Sequence, residues 1–295
     1  MPQLKPTSVE DQDTAHDGES PSQIVALLRY LTQTDVHTYA FSVAANVILS
    51  LFPFIVLLLT LSQRVFHSAA MGVVVGQLMQ SYLPTGQDFV MRNMMLLAHP
   101  HRGAQIFSAV MLLITSTGVF MPLEVALNQV WRAPRNRSYL MNQLVSLGLA
   151  VAAGVLAMFS VAVSTVQQQL LSFLFMGHTQ NFVYVVLSRG FIAILAVLSS
   201  IALFFLIYWL LPNTRVPALA VLPTAIAVGL LWEAAKYLYI ALLPVLDFQQ
   251  VYGPFYISVG LMMWAFVSGL MLLAGGHFSA TRHAIRLAAL APEEA

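Results

Sequence analysis

Cysteine is absent from this 295-residue sequence, which removes disulfides, thiolate nucleophiles and cysteine-based metal sites from consideration. Charge is scarce as well: Asp, Glu, Lys and Arg make up 8% of the residues, against about 25% in an ordinary soluble domain. Too few charges remain to clothe a water-facing surface of this length. The net charge of +1 gives no electrostatic reason for a nucleic-acid partner, because binding a phosphate backbone needs a basic face. No GxSxG, P-loop or GxGxxG motif stands in a strand-and-helix context. Of eight histidines only His99 and His101 are near neighbours, and no third ligand follows at metal spacing. The expectation is therefore no metal, no cofactor and no enzymatic activity.

What the sequence does have is hydrocarbon. Residues of the hydrophobic set make up 59%, and they cluster into six stretches near 39–62, 104–122, 142–166, 188–211, 217–243 and 253–275. A helix needs about 20 apolar residues to cross the roughly 30 Å of a bilayer core, and barrel strands would be about 10 residues long with alternating polarity. The fold class expected is all-α: a polytopic transmembrane bundle of about six spanning helices. Membrane lipids are then its unavoidable neighbours, while a homo-oligomer or an envelope protein partner is left open.

Residues 1–22 are polar and acidic, with Glu10, Asp11, Asp13, Asp17 and Glu19, and read as a disordered tail. They lack the basic start and short apolar core of a cleavable signal peptide, so the first span is expected to act as its own insertion signal. The transmembrane domain is expected over 23–285 and a C-terminal tail over 286–295. Residues 63–103 are intermediate in polarity. Gly72 and Gly76 stand in GxxxG spacing there, and Met91, Met94 and Met95 lie close to Asp88 and Arg92. A pair of amphipathic helices on the membrane face is expected, against a seventh span or a re-entrant segment.

Basic residues set the orientation, because cytoplasmic segments retain Lys and Arg. With six spans, one side carries Lys5, Arg29, Arg132, Arg135, Arg137, Arg215, Arg282 and Arg286, and the other carries Arg64, Arg92, Arg102 and Arg189. Both termini are accordingly expected in the cytoplasm.

Few residues in these spans could carry chemistry. Glu233 and Lys236 stand three apart near the middle of the fifth span, hence on one helical face. An isolated charge there costs at least about 2.5–3.5 kcal/mol, so the two should face the interior and neutralise each other, as a functional pair or a static packing element. Pro53 lies inside the first span with Asn46 and Ser50 nearby. It predicts a kink or local unwinding, which can line a substrate path or simply serve packing. Ser146, Ala150 and Gly154 give the third span a small-residue face for close helix contact, and Gln167, Gln168 and Gln169 mark its exit to water. Trp131, Tyr208, Trp209, Tyr237, Tyr239 and Trp264 read as interface anchors.

Several ordered segments resemble the YihY/BrkB family of bacterial inner-membrane proteins over roughly residues 25–285. AFSVAANVILSLFPFIVLLL is similar to the family's opening helix through Ser50, Phe52 and Pro53, and ALNQVWRAP carries its Asn128 and Trp131. YWLLPNTRVP with VLPTAIAVGLLWEAAKYLY supplies Pro212, Asn213, Pro223, Trp232 and Lys236. The last helix resembles the family's through Tyr252, Gly253, Trp264 and Gly275. The chain departs from the pattern in two places: Gly275, Gly276 and His277 stand where the family has a Gly-Ala-Glu-like run, and Thr224 stands where a glycine follows the proline.

The resemblance implies a multi-spanning membrane protein. Members have been labelled virulence factors for serum resistance and, once, a ribonuclease, for which this sequence offers neither clustered carboxylates nor a basic RNA face. Transport or flipping of an envelope lipid or other amphiphile is the leading expectation. A non-transporting structural or regulatory envelope protein is the alternative.

Overall fold

The computed structural model describes residues 23–66, 102–134, 137–174 and 182–290, and every regular element among them is helical. In chain order these are α1 (Gln23–Leu31), α2 (Thr34–Phe66), α3 (Arg102–Val130), α4 (Tyr139–Leu174), α5 (Phe182–Leu210), α6 (Ala218–Leu246), α7 (Phe248–Tyr252), a single 3-10 turn (Gly253–Phe255) and α8 (Tyr256–Leu290). The N-terminal tail, the Gly72/Gly76 pair and the methionine cluster lie outside the described residues. Of the 63–103 segment, only its edges are described, as the last turn of α2 and the first residues of α3.

Five helical segments among the described residues are long and apolar enough to cross a membrane: Thr34–Val56, Tyr139–Ser160, Phe182–Leu210, Ala218–Leu246 and Phe248–Ala289. The sequence predicts six. The sixth expected span falls on α3, a helix of 29 residues whose stretch 106–123 holds no charged residue. Large apolar side chains face outward all round the bundle, with Phe173 83% and Leu219 79% exposed, an arrangement suited to lipid and costly in water.

Cross-helix contacts fix the register. Gln129 Nε2 donates to Tyr39 Oη at 3.3 Å, and a side chain at Gly118 would run into Asn46, so α2 and α3 are antiparallel. Ile201 against Gly229 and Ser200 against Glu233 set α5 antiparallel to α6. Tyr239 Oη to Gly260 O at 2.7 Å, Trp232 Nε1 to Ser268 Oγ at 2.9 Å and Ser279 Oγ to Ala220 O at 3.2 Å do the same for α6 and α8. The segments that carry Arg29, Arg132 and Arg137, Arg215, and Arg282 and Arg286 meet at one end. There Tyr30 of α1 stacks on His277 at 4.3 Å, Trp131 lies 5.7 Å from His283, and the α3–α4 turn reaches the α5–α6 turn.

Helix limits depart from the sequence expectations for identifiable reasons. The stretch between the expected second and third spans is largely helix, since α3 continues to Val130 and α4 begins at Tyr139. Gly275 and Gly276 do not end the last span; α8 runs on through the expected tail from 286 to Leu290. These glycines are contact points instead, where a Cβ on Gly275 would meet Tyr208 and Val228 and one on Gly276 would meet Leu127. Helix α2 is continuous through Pro53, so no unwinding occurs there. Gly253, by contrast, sits at φ +52° with open space around it, a backbone requirement that glycine meets without strain.

Candidate functional site

The polar centre of the bundle is on α6. Lys236 Nζ lies 2.6 Å from Glu233 Oε2, and Ser200 Oγ of α5 donates to Glu233 Oε1 at 2.9 Å. Both charged side chains are buried, and each carboxylate oxygen has a partner. The ammonium also stands 5.4 Å from the Trp232 ring centre and 5.3 Å from that of Tyr237, close enough for cation–π attraction. Spacing of three residues makes this local: the helix alone brings the two head groups together.

Beside the pair lies an apolar cavity of about 330 Å³ between α2, α3, α4, α5, α6 and α8. Its wall includes Val47 and Leu51 of α2, Phe204 of α5, and Trp232 and Trp264. The polar side chains on it are Ser200, which bonds Glu233, and Ser268, which accepts from Trp232 Nε1. A volume at the low end of the roughly 300–1,000 Å³ typical of small-molecule sites suits an apolar chain or ring system. Ser200 thus touches both the cavity and the ion pair.

Asn46, Ser50 and Pro53 are not brought to this cavity, whose α2 wall is Val43, Val47, Ile48 and Leu51. Asn46 Nδ2 donates to Ser42 O at 2.9 Å and Ser50 Oγ to Val47 O at 3.0 Å, so both return to their own helix. Asn46 also packs on the bare backbone of Gly118. Phe52 falls on α2 in the same stretch.

A second polar cluster ties the arginine-rich end together. Asn128 Oδ1 accepts a 2.7 Å hydrogen bond from the backbone N–H of Asn213, and its Nδ2 reaches Glu124 Oε1 at 3.5 Å. Arg137 donates to Leu210 O at 3.0 Å, Leu211 O at 3.2 Å and Pro212 O at 3.2 Å, satisfying carbonyls that the end of α5 leaves open. Glu124 is 2% exposed and was not singled out by the sequence, because it lies just past the expected span end. Nothing in the sequence points to Ser200, a serine in an apolar helix.

Aromatic positions divide. Trp209 and Tyr237 are exposed, as anchors are, but Tyr208, Tyr239 and Trp264 are core residues. Tyr208 Oη donates to Leu272 O at 2.9 Å, and Trp264 packs against Trp232 at 5.4 Å and Tyr239 at 5.3 Å. Each buried hydroxyl has a carbonyl partner, which is the condition for burying it at low cost. Trp131 is partly buried against the core. Gln167 belongs to the helical body of α4, with its amide atoms buried, rather than to an exit into water. Thr224 is buried where the family pattern has glycine, and Pro223 beside it is exposed in the first turns of α6.

Over residues 27–294 the sequence matches the family model described as virulence factor BrkB. The chain belongs to the BrkB family. It is similar to a UPF0761 membrane protein of Glaesserella parasuis serovar 5, 24% identical over 208 residues that cover 68% of this chain and 69% of the relative. It is also similar to the UPF0761 membrane protein YihY of Salmonella typhimurium, 27% identical over 204 residues covering 68% and 67%. No solved structure gives a significant match. Two pairs of residues that the BrkB resemblance named separately prove to be partners, Asn128 with Asn213 and Trp232 with Trp264, while Trp131 lies beside His283, Pro212 accepts from Arg137 and Gly275 packs under Tyr208.

Proposed function

We propose that this BrkB-family protein moves an amphiphile, such as an envelope lipid, across or within a bacterial inner membrane without making or breaking a covalent bond. The observation that carries the reading is the apolar cavity of about 330 Å³ sharing Ser200 with the buried Glu233/Lys236 pair. The cavity offers room for part of a hydrocarbon chain, and the pair offers charge to a head group at bilayer depth. On this reading the arginine-rich end, where α1 lies and α8 finishes, faces the cytoplasm, a placement supported by its excess of basic residues.

Reconstituted vesicles containing fluorescent phospholipid test this directly. Ala153→Phe and Ala265→Phe place bulk in the cavity, and each is expected to cut lipid translocation to near the protein-free rate while the protein remains monodisperse. Unchanged translocation with the cavity filled, or none in the parent protein with any envelope lipid, sinks the reading.

One observation favours a second reading, a non-transporting organiser of envelope components. Both carboxylate oxygens of Glu233 are already satisfied, which suits a static packing element. On that reading, exchanging surface residues in the 131–138 turn impairs complementation more than replacing the buried pair.

A further inference from the structure

At the arginine-rich end, a groove of about 220 Å³ opens between the start of α6 and the last turns of α8. It is lined by Pro217, Leu219, Ala220, Arg282, His283, Arg286 and Leu287. The register is pinned one turn deeper, where Ser279 Oγ bonds Ala220 O. Arg282 and Arg286 are four apart on α8 and project into the same groove, and His283 forms its side toward Trp131. The described acidic residues are Asp35, Glu124, Glu233 and Asp247, and none of them lines it. Among the described residues, the ion pair is that of Glu233 and Lys236, far from here at mid-helix, so these two arginines carry no carboxylate partner among them.

The groove is also two-faced. Its mouth carries Leu219 and Leu287, apolar side chains that are 79% and 56% exposed. Helix α6 begins its membrane span at Ala218, which places the groove at the boundary between hydrocarbon and water. At 35 residues, α8 is about 52 Å long at roughly 1.5 Å per residue, well over the bilayer core, so its arginine-bearing turns extend beyond the hydrocarbon. Two guanidinium groups at head-group level, with apolar side chains on the membrane side, complement one kind of molecule.

We infer that this groove binds an anionic phospholipid, its phosphate held between Arg282 and Arg286 and its acyl chains lying along Leu219 and Leu287. Arginine suits the task because its planar donors match phosphate oxygens in pairs. The Pro217 cap places no side chain on the first-turn N–H groups of α6, which leaves that edge of the groove electropositive as well. The site is separate from the central cavity and does not depend on whether the protein transports anything.

Native mass spectrometry of the delipidated full chain in detergent, titrated with phosphatidylglycerol or with phosphatidylcholine of the same acyl chains, is the test. The parent protein is expected to retain phosphatidylglycerol preferentially. Arg282→Gln with Arg286→Gln should weaken that retention about thirtyfold, as expected for two arginines at an anionic surface. Arg215→Gln, an exposed arginine at the same end that does not line the groove, should not change it. Melting of each variant in lipid-free detergent separates loss of binding from loss of fold, and the single variants and Arg→Lys versions serve if the double variant does not purify. Equal retention of the two lipids, or an undiminished preference in the arginine variants, overturns the inference. Full displacement of phosphatidylglycerol by millimolar inorganic phosphate would make the groove a free-anion site and overturn it too.

Discussion

Asn128 and Asn213, 85 positions apart in the chain, are joined by a 2.7 Å hydrogen bond from the Asn213 backbone N–H to the Asn128 side-chain oxygen. The bond clamps the end of α3 to the α5–α6 turn. Asn128→Ala leaves a half-buried N–H without its acceptor, at a cost of about 1–3 kcal/mol. A lower melting temperature in detergent is the expected result, and an unchanged one would mean that the turn finds another acceptor.

Arg137 caps three successive carbonyls at the end of α5. Replacing it by methionine keeps much of the apolar stem but removes the charged donors, each such bond contributing at most about 1.5–3 kcal/mol net and less where water reaches it. Amide hydrogen exchange should accelerate around 210–217 in Arg137→Met while the mid-helix amides of α5 stay protected.

Two glycines should respond differently to a methyl group. At Gly275 a Cβ would meet the Tyr208 hydroxyl and Val228, disturbing the bond from Tyr208 to Leu272, whereas at Gly148 it would meet nothing within 4 Å. Gly275→Ala is expected to cost about 1–3 kcal/mol through overpacking, and Gly148→Ala to be neutral or to gain up to about 1 kcal/mol from helix propensity. Thermal unfolding of the two variants side by side checks the contrast.

The buried pair separates stability from function. Glu233→Gln or Lys236→Met alone strands one charge in the interior, with a cost of about 3–5 kcal/mol, while the double variant should recover most of that loss. Lipid translocation by a well-folded double variant then decides the role of the pair: abolished flux supports a part in the pathway, and full flux assigns it to packing.

Much of this architecture is legible in the sequence, because long apolar runs have few alternatives. The antiparallel course of the long helices and the meeting of the arginine-bearing segments at one end are what an expectation of six crossings implies. Glu233 and Lys236 stand out because an ionised group in such a run must find a partner. What the sequence hides is facing. In a helix apolar all round, 3.6-residue periodicity does not mark the inner side, so Tyr208, Tyr239 and Trp264 read as anchors although their hydroxyls and rings are core elements. Ser200 carries no signature for the same reason. Glu124 was obscured by a different effect, the continuation of α3 beyond its apolar part, which turned an expected loop into buried helix. Asn46 and Ser50 satisfied themselves within α2, leaving the cavity wall to their aliphatic neighbours.

The ion pair resides on a single helix, and this matters during synthesis. A charge neutralised by a residue one turn away does not wait for another segment to arrive, so α6 can leave the insertion machinery for lipid as an already balanced unit. Its entry into the bilayer is thereby uncoupled from the order in which the rest of the chain assembles around it.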